Sequence, residues 1–284
     1  MKPGFLDIDA TAYHADPCPE PSLSSGLAKI LIGKSAAHAK MAHPKLNPNY
    51  REHNNGDFDL GTAAHAALLE GNRAKICVID AKDWRTKAAQ EARDEAYANG
   101  LTPLLAKHNN AVTRMVEAAK AYVERTEFKG IFQSGKPEQV IVWQEDGLWF
   151  RAMMDWVKLD WETVLDYKTT EDASPETFSR QISRMQYDFQ RSFYLRGMRA
   201  LGFNPEFLFL AQETGGSHEC TLHGVSPALE AYADFQVERA IQLWRKCLTT
   251  DKWPGYPTQI CWATPTNWQM AEMERMINEQ ENLQ

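Results

Sequence analysis

The chain has 284 residues, of which 43% are hydrophobic and 11% aromatic, enough apolar material for a sizeable core and too much for wholesale disorder. A net charge of −7 with a pI near 5.7 counts against indiscriminate binding to nucleic acid. No apolar run approaches the length of a membrane span, and no basic, apolar leader opens the sequence, so a cytoplasmic protein is expected. Nothing resembling a linker or repeat divides the chain. It reads as one domain over 1–284, with a helical region at about 1–130, a core at about 131–250 and an aromatic tail at about 251–284.

Residues 1–21 read as an irregular entry with prolines at 3, 17, 19 and 21. Helix N-cap candidates at 22–25 then precede a short amphipathic helix over 26–32. Between residues 29 and 53 stand Lys29, Lys34, Lys40, Lys45 and Arg51 against one acid, Glu52. Such a run is either a solvated basic face or a surface for a polyanion. The stretch NNGD at 54–57 is a loop, followed by an alanine-rich helix over 60–70 that stops at Gly71. His65 has Leu68 and Leu69 one turn on, which turns it inward, as a satisfied core histidine or as a ligand. A strand is expected at 76–80, and helices at 86–97 and 103–127 supply scaffold.

Three strands come next. Residues 138–143, 149–159 and 164–168 (VLDYK) are apolar and β-branched, with turns at 144–147 and 160–162. A hairpin of the second and third sets Asp155 beside Asp166, and Asp166 and Lys168, two apart, project from one face. Glu138 opens the first. From 138 to 172 there are nine acids and three bases, whereas 180–202 holds five arginines and one acid. A helix from about 176 to 201 would put Arg180, Arg184 and Arg191 on one face and Gln190 and Tyr194 on another, leaving the arginines as a solvent face or a grip on DNA. A buried strand at 206–212 closes an α/β crossover. A further strand at 220–223, a helix at 226–248 and the tail with Trp253, Trp262 and Trp268 complete the chain. The tail could pack over the domain or against another subunit. Cys18, Cys77, Cys220, Cys247 and Cys261 form no metal-finger spacing and read as reduced thiols.

Clustered carboxylates stay ionised together only if a cation compensates them. Hard oxygen ligands suit Mg²⁺, with Mn²⁺ as a substitute, and such ions share their remaining positions with phosphate oxygens. A lysine beside the ion can orient or deprotonate the attacking water.

These residues resemble the PD-(D/E)xK nuclease superfamily, in particular the exonuclease VIII (RecE)-like phage recombination exonucleases. The pattern of a helical His, a Glu, an Asp, a (D/E)xK pair and QxxxY is matched by His65, Glu138, Asp155, Asp166 with Lys168, and QRSFY at 190–194. The openings YHAD (13–16), SLSSGLAK (22–29) and SAAH (35–38) are similar as well, and the likeness runs from about residue 7 to about 250. It implies an α/β restriction-endonuclease-like core, a central mixed sheet flanked by helices. Glu138, Asp155, Asp166, His65 and the Tyr167 carbonyl would hold the metal, and Lys168 would act on water. Gln190, Tyr194, Arg180, Arg184 and Arg191 would hold DNA, with Ser24, Ser25 and Lys29 on phosphate. It further implies 5′ to 3′ digestion of double-stranded DNA ends, a ring-shaped homo-oligomer (a tetramer, or else a trimer), and a RecT-like single-strand annealing partner. A RecB-like endonuclease or 3′-directed nuclease, and a non-catalytic DNA-binding or assembly subunit, are the competing readings.

Overall fold

The structure, a computed structural model, describes residues 1–51, 60–71 and 76–281; the loop expected at 54–57 lies outside them. The fold is mixed α/β, built on a seven-stranded sheet. Its long meander is β5 (Gly135–Glu145), β6 (Leu148–Lys158) and β7 (Thr163–Thr170), whose apolar residues alternate between two buried faces. The 144–147 turn closes the first hairpin, with Asp146 and Gly147 at φ 48° and 82°. After β7 the chain crosses over through helices to β8 (Glu206–Glu213), parallel to β7, and returns antiparallel as β9 (Cys220–His223).

The entry is less irregular than its prolines suggest. Residues Gly4–Leu6 form β1, antiparallel to β5, and Ala10–His14 form α1, capped by Asp9. Ser22–Leu23 form β2, which pairs parallel with Trp149 and Phe150 of β6. β5 already occupies the other edge of β6 at those residues, so β2 takes the same edge as β7. β7 pairs there only with Trp156 and Val157. Between these two contacts the edge of β6 pairs with no strand among the described residues.

Helices cover both faces. One layer contains α2 (Ser25–Gly33) and α3 (Ala36–Met41), together with α7 (Pro175–Arg184), α8 (Tyr187–Ala200) and α9 (Pro227–Thr250); it packs Leu27, Phe178, Phe193 and Trp244 against Trp143, Phe150 and Phe209. The opposite layer contains α4 (Leu60–Leu69) and α6 (Ala106–Val123), with Leu68 and Met115 on Leu165 and Leu210. A two-stranded parallel sheet, β3 (Ile76–Ile79) with β4 (Thr102–Leu105), flanks α5 (Lys87–Ala98). Residues 103–105, where helix was expected, are therefore strand. Gly197 lets α8 lie on the sheet: a Cβ there would stand 2.7 Å from the Trp143 ring.

The helix expected over 176–201 is two. Gln186 takes φ 54° and breaks it between α7 and α8, with no glycine or proline to announce it. A left-handed residue costs about 1–2 kcal/mol, and the burial of Phe178, Ile182 and Phe189 around the break offsets that cost. The last helix, α10 (Asn267–Glu281), has no buried residue. No helix among the described residues is long and apolar enough to cross a membrane.

Candidate active site

The edge of β6 between β2 and β7 is where the acids gather. Antiparallel register continued one step past Trp156 and Leu165 sets Asp155 opposite Asp166, and the β5 pairs on either side of Glu138 set it opposite Asp155. Glu138, Asp155 and Asp166 thus form a row across three strands. Glu138 has φ 47°, which interrupts the β5–β6 ladder at this row. Strain of that kind collects at functional sites.

Asp155 occupies the fork between β6 and β7. Its Oδ2 accepts the Tyr167 main-chain N–H at 2.9 Å and lies 3.3 Å from His65 Nε2. His65 comes from α4, on one face of the sheet. From the other face Gln190 of α8 donates Nε2–H to Asp166 Oδ2 at 2.7 Å, and Lys168 makes an ion pair with Asp166 Oδ1. Lys168 Nζ also lies 5.1 Å from the centre of the Tyr187 ring, with Lys29 Nζ 5.9 Å from that same centre. The break at Gln186 starts α8 at Tyr187, which brings Tyr187 and Gln190 onto the site.

Charge orders the group. Burial disfavours the Asp155 carboxylate, but Lys168, His65 and the Tyr167 N–H outweigh it and lower its pKa. Asp166 is raised instead, by burial and then by the charge of Asp155, more than Lys168 and His65 lower it. Burial opposes the Lys168 ammonium, yet both aspartates face it and its pKa is raised. The apparent conflict between a raised acid and a raised base has one cause: a single ammonium serves two carboxylates. His65 is also raised, because Asp155, Glu138 and Asp166 overcome its burial. Burial, with repulsion from Lys168 behind it, lowers Lys29 to about 8.

Two openings reach this group. One, of about 350 Å³, is lined by Ser24, Ser25, Arg151, Asp155 and Tyr194; the other, of about 360 Å³, by Thr62, His65, Lys168, Thr169 and Tyr187. Ser24 caps α2 through Leu27 N–H, and Ser25 shares a hydrogen bond with the buried Tyr194 hydroxyl, which burial keeps protonated. Lys29 donates to the Met185 carbonyl at 3.5 Å.

Other expected residues fall elsewhere. Arg180 pairs with Glu176 at 2.7 Å and Arg191 with Glu230 at 3.4 Å, so Arg191 joins α8 to α9 and presents no common face with Arg180 and Arg184. The helix break is the reason. Arg184 is exposed. Tyr167 brings its N–H to Asp155, and its buried hydroxyl donates to Gln212. Sequence reasoning missed Tyr187, whose signal was slight: an aromatic three residues before Gln190. It also missed the clamp behind the site, in which buried Asp16 accepts from Ser22 N–H at 2.9 Å and lies 3.3 Å from His43 and 3.4 Å from Arg151.

No three His, Cys, Asp or Glu side chains among the described residues meet as a ready metal cage. The two aspartates nevertheless fit a hard divalent ion. Both are carboxylates in one fork, and Asp166 Oδ1 is buried with no hydrogen bond beyond its ion pair to Lys168.

A family model for a PDDEXK-like domain of unknown function (DUF3799) matches residues 24–264. The chain belongs to this family. The match begins at Ser24, directly after β2, runs into the tail and includes every residue of the acid row, which places the chain in the PD-(D/E)xK superfamily. The fold is also that of a crystal structure described as a "Putative exonuclease" from Eubacterium rectale, at 10% sequence identity and a TM-score of 0.58, covering 93% of this chain and 98% of that one. Among curated proteins no sequence matches.

Proposed function

We propose that this PDDEXK-like protein is a metal-dependent exodeoxyribonuclease acting on the ends of linear duplex DNA. The observation that carries the reading is the fork itself: Asp155 and Asp166 side by side, with Lys168 on Asp166 and His65 on Asp155, open to solvent on two sides. Asp155 and Asp166 would hold the ion, Mg²⁺ or Mn²⁺, with His65 and Glu138 adjacent. When bound, the ion supplies charge compensation and the acidity that a water needs to attack a phosphodiester.

The chain's own residues do the rest. Lys168 Nζ, held between two carboxylates, is the proton-bearing group closest to Asp166, and it orients the attacking water and offsets charge growing on the phosphoryl oxygens. A P–O bond forms to that water as the P–O bond to the departing sugar oxygen breaks, and the water's proton is returned to the departing oxygen. Gln190 fixes Asp166, and the Tyr167 N–H fixes Asp155, so neither carboxylate must reorganise. Lys29, Ser24, Ser25 and Tyr194 line the approach and suit a phosphate backbone, with Arg184 on the outer surface. The positive charge of Lys29 and Arg184 stands beside an acidic site in a chain of net charge −7. A DNA polyanion would therefore be held locally, with little attraction from the molecule as a whole.

The RecE-like resemblance adds 5′ to 3′ polarity, a ring-shaped oligomer and service to a single-strand annealing protein in recombination. Digestion of end-labelled linear duplex beside covalently closed circles, with Mg²⁺ and with EDTA, tests the reading. Release of labelled nucleotides from linear DNA alone is expected. Cutting of closed circles would make the protein an endonuclease, and DNA retention without release would make it a binding subunit.

A further inference from the structure

We propose that the C-terminal helix of one copy seats in a groove on a second copy, so that the chain assembles by exchanging its tails. The family match ends at residue 264, just before α10, which has no buried residue. Yet α10 is amphipathic. Met270, Met273, Met276 and Ile277, each 40–49% exposed, fall within a sector of about 120° at helical spacing. Glu272 and Glu279 border that sector on one side, Glu274 and Glu281 on the other. A methionine-rich stripe edged by acids is the form of a helix that binds in an apolar groove with basic rims.

The same chain carries such a groove. Leu243, Cys247, Trp253 and Pro254 wall a depression of about 600 Å³ where α9 gives way to the tail, and Lys246 and Lys252 stand on its rim. Neither lysine is in an ion pair among the described residues. The chain's own α10 does not fill this groove. The segment from 254 to 266 is exposed throughout, with Trp262 at 82%, and no residue of α10 is buried against the groove or anything else described. Each copy thus presents a helix and a groove of opposite charge and matching apolar character, and two copies satisfy both.

Light scattering on the intact chain as it elutes from a sizing column tests this without reference to nuclease activity. The wild type is expected at a mass of at least twice 32.3 kDa. The rim variant Lys246→Glu/Lys252→Glu and the helix variant Glu272→Lys/Glu279→Lys are each expected to elute as monomers, since like charges then face each other within either population. Mixed in equal amounts, they should reassemble, because each helix then meets a groove of opposite charge. A monomeric wild type, which would leave the helix to its own groove or to another protein, overturns the proposal. So does an assembly that both variants retain, or one that both lose and mixing does not restore.

Discussion

Asp155 of β6 accepts the Tyr167 main-chain N–H of β7 at 2.9 Å, so a side chain takes over where the β6–β7 backbone ladder stops after Trp156 and Leu165. That substitution splits the strands and places a carboxylate in the gap. Asp155→Asn keeps an oxygen acceptor for Tyr167 but removes the charge. The wild type should gain thermal stability on titration with Mg²⁺ or Mn²⁺ and lose the gain in EDTA, since a ligand that binds only the folded state stabilises it. Asp155→Asn should melt at the same temperature with or without the ion. An equal metal-dependent shift in both proteins would remove Asp155 from the ligand set.

Lys168 is the ammonium that both aspartates share. Lys168→Met should lower nucleotide release from end-labelled duplex by roughly 100- to 10,000-fold, the usual worth of a positioned proton-transfer group. Duplex affinity, read by fluorescence anisotropy, should stay within a few-fold of wild type. Undiminished release would exclude Lys168 from the chemistry.

The break at Gln186 assigns different work to two arginines that the sequence puts on one face. Arg184 is exposed, and Arg184→Ala should weaken duplex binding and reduce the slope of log affinity against log salt by about 1, the effect of one lost phosphate contact. Arg191 pairs with Glu230 between α8 and α9. Arg191→Ala should instead lower the urea midpoint while leaving the salt slope unchanged.

Asp16 anchors the N-terminal segment behind the site. Burial works against its charge, but His43, Arg151 and Ser22 outweigh burial and depress its pKa from 3.8 to about 2. A depressed carboxylate stabilises the fold above its unfolded pKa, and that contribution is lost as pH falls from about 4 through about 2. At roughly 1.4 kcal/mol per pKa unit, the shift is worth about 2 kcal/mol. Urea unfolding followed from pH 5 downward should show the wild type losing stability more steeply than Asp16→Asn. Parallel curves for the two proteins would contradict the assignment.

Gly197 faces the Trp143 ring, which is fully buried. Gly197→Ala gains helix propensity but drives a methyl into that ring, and overpacking costs about 1–3 kcal/mol. The net effect should be a lower denaturant midpoint and, because α8 carries Gln190 onto Asp166, slower cleavage.

Much of the scaffold was legible in the residues because its signals are local. Apolar, β-branched and aromatic runs specify β5 to β8, turn residues mark the hairpins, and the two-residue spacing of Asp166 and Lys168 puts both on one face whatever surrounds them. The hairpin over 149–168 likewise sets Asp155 beside Asp166 by register alone. The break at Gln186 was not legible. No propensity announces it, since it follows from how Phe178, Ile182 and Phe189 pack against strands distant in sequence.

The sequence by itself determined which residues are candidates for the chemistry, because side-chain type and short spacings are properties of the chain. Tertiary structure alone decided which of them meet. β2 and β7 share one edge of β6 and leave a gap between them, and into that gap His65 comes from one helical layer and Gln190 from the other. The same packing commits Arg191 to Glu230. Burial and long-range pairing decide such matters, and neither is written in any short stretch of residues.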